Sequence, residues 1–78
     1  MEKLFIQVVS GKANKKDFAT IKKFTNITFI FDEQNKTGWM AEMDSKPEAE
    51  LLAMRLKATK LSKSYFLRFG NESAIDLF

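Results

Sequence analysis

The chain has 78 residues, a formal net charge of +3, 45% apolar and 29% charged residues, and neither cysteine nor histidine. A chain of that length makes one domain with a thin core, burying roughly 60–65% of its unfolded surface. Without Cys it forms no disulfide or thiolate metal site, and without His it lacks the commonest metal ligand and the usual general base near neutral pH.

Residues 4–9, LFIQVV, are β-branched and aromatic and read as a first strand. Their apolar run is short, interrupted by Gln7 and without a cleavage pattern, so neither a membrane span nor a leader is expected. The expectation is a soluble cytoplasmic protein with no membrane partner. In that setting the N-x-S/T triplets at Asn26, Asn35 and Asn71 are coincidences.

Residues 10–14, SGKAN, form a loop ending in Asn14, a helix cap, with Asp17 placed to favour the positive helix end. Phe18, Ile21, Phe24 and Thr25 then share one helical face, and Lys15, Lys16, Lys22 and Lys23 share the other. Residues 27–31, ITFIF, alternate as a second strand. The turn 32–38, DEQNKTG, offers Asn35 and Gly38 for positive φ, and residues 39–44, WMAEMD, return as the second arm of a hairpin.

Ser45, Pro47 and Glu48 spell a helix start, a capping box with proline in the first turn. The helix is expected to run to about Leu61, with Ala49, Leu52, Ala53 and Leu56 as its main stripe. A second apolar stripe of Leu51, Met54, Ala58 and Leu61 lies nearly opposite and calls for a second neighbour, either the first helix or another copy of the chain. Residues 64–69, SYFLRF, form a strand, Gly70-Asn71-Glu72 a turn, and residues 73–78 a short last strand paired with the one before it.

This order predicts an α+β domain of the βαββαβ, ferredoxin-like kind. Two helices lie on one face of an antiparallel sheet, with the first and third strands central and an extra C-terminal strand. The alternative is a looser arrangement in which the two hairpins form the sheet and the first strand joins an edge.

KLFIQVV followed by DFATIKKF, and TGWMAEM followed by PEAELLA, resemble the RNA-recognition-motif domain over roughly residues 3–69. Leu4, Phe5 and Ile6 fit the family's first motif. Gly38 and Trp39 fit its second, whereas Thr37, Met40, Ala41, Glu42 and Met43 depart from it. The resemblance implies that Trp39 faces RNA, together with Ala41 and Met43. Residue alternation argues the reverse. That register would turn Glu42 and Asp44 under the helices, and an unpartnered buried carboxylate costs several kcal/mol. The opposite register places Trp39, Ala41 and Met43 in the core, and no intermediate exists without a bulge.

With the core so assigned, the other sheet face carries Phe5, Gln7, Ile30, Met40, Phe66 and Arg68, a partly apolar patch suited to an interface unless the C-terminal segment covers it. Lys12, Lys15, Lys16, Lys22 and Lys23 form a candidate anion or nucleic-acid contact. Few arginines and no interleaved exposed rings argue against sequence-specific readout. The mild net charge permits such a partner without requiring one. Ser10-Gly11-Lys12 lacks the spacing of a P-loop. The carboxylate pairs Asp32/Glu33 and Glu42/Asp44 sit in or beside the hairpin turn as solvated charges, at most weak cation binders. The sequence therefore reads as a non-catalytic protein-interaction module without cofactor or metal. A copy of itself is among the partners admitted, and a nucleic-acid module using the helix-one lysines is the alternative.

Overall fold

Val, Ile and Phe in alternation draw β1 (Glu2–Val8) into an extended strand with Leu4, Ile6 and Val8 on the buried side. The computed structural model describes residues 2–77. The remaining elements are α1 (Lys15–Ile21), β2 (Ile30–Phe31), β3 (Gly38–Met43), α2 (Lys46–Lys57), β4 (Tyr65–Phe69) and β5 (Ile75–Asp76). They form a small α+β domain with two helices and a five-stranded antiparallel sheet of order β2-β3-β1-β4-β5. β1 is the middle strand, flanked by β3 and β4, so it does not join an edge. The outer β5 makes the order differ from that of a four-stranded ferredoxin-like sandwich.

The register settles the two faces. Ile6 lies opposite Trp39 and Leu67, and Leu4 lies opposite Ala41 and Phe69. Trp39 is only 3% exposed, and Ala41 and Met43 are buried with it, whereas Glu42 and Asp44 are exposed. Trp39, Ala41 and Met43 therefore face the core and not the exposed side that the RNA-recognition resemblance implies. Both helices cover this face. Ile21 of α1 and Ala49, Leu52, Ala53 and Leu56 of α2 join the same core, and the Phe18 ring stacks on Trp39 at 5.4 Å.

Several elements are shorter than the sequence suggests, each for a local reason. Lys23 and Phe24 bond back to the carbonyls of Thr20 and Ile21, tightening the chain and ending α1, although Phe24 still packs on the core. In α2, the Thr59 hydroxyl takes the Arg55 carbonyl at 2.9 Å while its N–H turns to Leu56, so the helix stops at Lys57 rather than near Leu61. Residues 27–29 leave the ladder: the Thr25 hydroxyl accepts the Ile27 N–H at 3.1 Å and turns the chain, so only Ile30 and Phe31 pair with β3. Phe29 nevertheless reaches the core.

In the hairpin turn Lys36, not Asn35 or Gly38, takes positive φ, at 58°. Gly38 is required for another reason. A Cβ there would collide with the Ile6 carbonyl oxygen and come within 2.8 Å of the Gln7 Cα, so glycine lets β3 close against β1. Ser45 caps α2 by accepting the Glu48 N–H at 3.2 Å. The C-terminal segment does not fold over the open sheet face. Ile75 and Asp76 pair edge-on with Leu67 and Phe66, and Leu77 enters the core. Phe78, included in the expected last strand, lies outside the described residues.

Candidate functional site

Strand alternation places one residue in two on the sheet face away from the helices. Cross-strand pairing assembles that face: Ile30 opposite Met40, Met40 opposite Phe5, Phe5 opposite Arg68, and Gln7 opposite Phe66. The six residues singled out from the sequence thus lie on one continuous surface. Phe5, Gln7, Met40 and Phe66 are half-buried by one another, Ile30 is 65% exposed and Arg68 is exposed. The Arg68 guanidinium lies over the Phe5 ring at 5.0 Å, a cation–π contact that flattens the arginine onto the sheet.

Near β2 the surface dips into a hollow of about 200 Å³, lined by Phe5, Gln7, Ile30, Asp32, Gly38 and Met40 among others. Binding cavities for whole small molecules run to roughly 300–1,000 Å³. This one suits a single protruding side chain. Gly38 lies beside Gln7 in its lining, a neighbour set by the β1–β3 register. Lys3 and Glu42 face each other at one end of the face, and Asp76 lies beside Phe66 at the other. With Arg68, singled out from the sequence, and Asp32 in the hollow, they surround the apolar patch with charges of both signs.

The five lysines of the alternative site lie elsewhere. Lys12, Lys15, Lys16, Lys22 and Lys23 are all exposed, on the loop before α1, on α1 itself and in the turn after it. Lys15 sits over the Phe31 ring at 4.7 Å and Lys22 over the Phe18 ring at 5.3 Å, so two of the five are held by the protein's own aromatics. These five lysines lie with the helix layer, whereas Phe5 and Phe66 lie on the other face of the sheet.

A polar cluster appears where the sequence offered only a helix-favouring charge. Asp17 is 5% exposed. It accepts from the Ser62 N–H at 2.9 Å, the Ser62 hydroxyl at 2.7 Å and the Tyr65 hydroxyl at 2.6 Å. Tyr65 in turn accepts the Asn14 N–H at 3.0 Å, and the Asn14 amide donates to Ser62 at 2.9 Å. Burial pushes the Asp17 carboxyl up. The bonds from Tyr65 and Ser62, with the nearby Lys63 charge, outweigh it and hold the carboxyl below the ordinary aspartate range. Burial first, and the bond to Asp17 second, push the Tyr65 phenol up. A phenol held protonated and a carboxylate whose acceptor positions are occupied make a poor acid–base pair. This cluster clamps α1 to the start of β4.

Asp32 is likewise engaged. The Asn35 N–H foremost, helped by the Gln34 N–H and the Thr37 hydroxyl, lowers its carboxyl and fixes the turn. Among the described residues no three carboxylates converge as a metal site would need. No helix among them is long and apolar enough to cross a membrane.

No protein-family model matches this chain, and neither a curated protein nor a solved structure does. Exposed apolar side chains also occur away from the open sheet: Val9 is 60% exposed after β1, and on α2 Leu51 is 45% and Met54 67% exposed. The first helix does not cover this second stripe as expected. Of the four, Leu61 is half-buried against the core, while Leu51, Met54 and Ala58 are exposed.

Proposed function

We propose that this chain is a small non-catalytic protein-interaction module that works through its open sheet face, with Phe5, Met40, Phe66 and Ile30 as the apolar anchors and Arg68 and Gln7 as polar contacts. The observation that carries the reading is the clustering of these six residues on one face that no helix covers, around a hollow sized for one side chain. We also propose that the fold is ferredoxin-like with an appended strand. In support, β1 sits between β3 and β4, β2 lies outside β3, and both helices pack on one side. The RNA-recognition resemblance belongs to that proposal at the level of fold. Its base-stacking role for Trp39 does not, because the ring is buried.

The test compares capture of partners from the cytoplasm of the native host by the unaltered chain, by a Met40→Glu variant and by a Leu51→Ser/Met54→Ser variant. Loss of capture with Met40→Glu alone, at unchanged Trp39 emission, is expected. Equal capture by all three removes the proposal.

The exposed helix-layer lysines favour one second reading, contact with nucleic-acid phosphates. Anisotropy with single- and double-stranded oligonucleotides at low and high salt decides it. Absence of salt-sensitive binding at low ionic strength eliminates that reading.

A further inference from the structure

We propose that the outer edge of β2 is a docking site for an extended strand of another protein. The partner segment is uncharged, pairs with the backbone at Phe29 and Phe31, and reaches the hollow with one long apolar side chain. This rests on the reading of the open face as a protein-interaction surface, since the hollow belongs to that face. It adds the conformation and chemistry of the partner.

Backbone hydrogen bonding carries the argument. The Asp32 N–H donates to the Gly38 carbonyl at 2.9 Å, and Ile30 pairs with Met40. In an antiparallel ladder hydrogen-bonded pairs alternate, so Ile30 and Asp32 turn their backbone groups toward β3, while Phe29 and Phe31 turn theirs outward. Burial follows the same two-residue period, with Thr28 and Ile30 exposed, Phe29 buried and Phe31 half-buried. β2 is the outermost strand on this side, and no described residue bonds to the outward N–H and C=O of either phenylalanine. A helix uses its backbone groups internally and cannot match this pair of sites, about 6.6 Å apart along the strand. Another extended strand matches them group for group.

The two edges of the sheet differ. At β5 the Leu77 N–H donates to the Tyr65 carbonyl at 2.9 Å, which leaves Asp76 as the β5 residue facing outward. Its carboxylate guards that edge in the manner of natural edge strands. No charged residue, proline or glycine stands between Lys23 and Asp32, so β2 and its approach carry no such guard. The charges that border this edge are Lys15, over the Phe31 ring at 4.7 Å, and Asp32, held in the turn by Gln34, Asn35 and Thr37. They are of opposite sign, and an incoming strand meets no net charge.

An added strand lies about 4.8 Å outside β2, with one side chain in two on the open side beside Ile30, itself 65% exposed. The hollow of about 200 Å³ adjoins Ile30 and is lined also by Phe5, Met40 and Asp32. A long or aromatic side chain spans to a diagonal neighbour, so it can lean over Ile30 into this space.

The probe is a capped peptide of alternating Thr and Val with one central Leu, beside a twin N-methylated at alternate amides that keeps the side chains and loses the edge donors. Amide NMR and hydrogen exchange on the unaltered chain read the result. Exchange at Phe29 and Phe31 should slow, with shifts at Ile30 and Met40. Binding should weaken by at least about tenfold for the N-methylated twin, and likewise for an Ile30→Lys variant, which sets a cation on the edge. Unchanged exchange at Phe29 and Phe31 up to millimolar peptide overturns the inference, as does equal binding of the twin. Shifts confined to Phe66 and Arg68 overturn it and leave the open-face reading standing, which host-partner capture with Met40→Glu still judges. Protection of the two amides on raising the chain concentration alone makes the occupant a second copy and overturns it too.

Discussion

Asp17→Asn is the most informative single substitution in the core, because the side chain keeps its shape and loses only charge and one acceptor. In the native cluster three donors converge on the carboxylate: the Ser62 N–H, the Ser62 hydroxyl and the Tyr65 hydroxyl. An amide placed with its oxygen toward the Ser62 N–H turns its NH₂ toward the two hydroxyls. Each hydroxyl already accepts one bond from Asn14, and taking the new NH₂ on its remaining acceptor site strands the O–H that had donated to Asp17. Two charge-assisted bonds are lost, each worth about 1.5–3 kcal/mol, with part recovered by relaxation. The expected cost is about 3 kcal/mol, a fall in Tm of roughly 12–24 °C for a domain of this size. Urea unfolding followed by the emission of buried Trp39 measures it.

The pH dependence gives a second signature. The Asp17 carboxyl is lowered in the folded state, so its contribution is complete above the unfolded value of about 3.9 and is lost as pH falls through the folded value. The gap in stability between the native chain and Asp17→Asn should therefore be constant near neutrality and close below about pH 5. A variant within about 0.5 kcal/mol of the native chain at pH 7, or a gap that widens in acid, refutes the clamp.

Other substitutions test other parts of the fold. Gly38→Ala should prevent folding or cost more than about 3 kcal/mol, because the new Cβ strikes the β1 backbone, which cannot move without unpairing the strands. At Gly11, where a Cβ meets nothing within 4 Å but φ is +76°, alanine should cost only about 1 kcal/mol; equal effects at the two glycines would contradict this account. Ser45→Ala should lose about 1 kcal/mol through the missing cap on α2, read by thermal unfolding. Trp39 should resist acrylamide quenching until the chain unfolds, and ready quenching of the native state would return the ring to the surface.

How much of this was legible in the sequence depended on the range of the interaction. β3 was readable because Glu42 and Asp44 alternate with Trp39, Ala41 and Met43, and a two-residue period allows no compromise. The buried stripe of α2 was readable from its spacing for the same reason, and the open-face residues followed as the complement of the core. Asp17 was legible only as a charge favouring the helix end, because its partners Ser62 and Tyr65 lie 45 and 48 residues away, beyond any local pattern. The unpaired course of residues 27–29 was hidden by their apolar alternation, which a sheet and a core-packed loop satisfy equally well. The early end of α1 was hidden by its continuing amphipathic pattern, which the i→i−3 bonds of Lys23 and Phe24 override.

The central position of β1 has a kinetic consequence. Both of its neighbours come from later in the chain, β3 from Gly38 onward and β4 from Tyr65 onward. Contacts of such long sequence separation slow folding, because the loops must close before any pairing is gained. On the ribosome the delay is also one of supply. At about 5–20 residues per second, β1 waits several seconds or more for β4 to be made. Through that interval Leu4, Ile6 and Val8 lack the β4 side of their sheet, and the nascent chain presents an apolar strand that is not yet fully paired. Folding yield at high expression should therefore depend more on the behaviour of this waiting strand than on the stability of the finished domain.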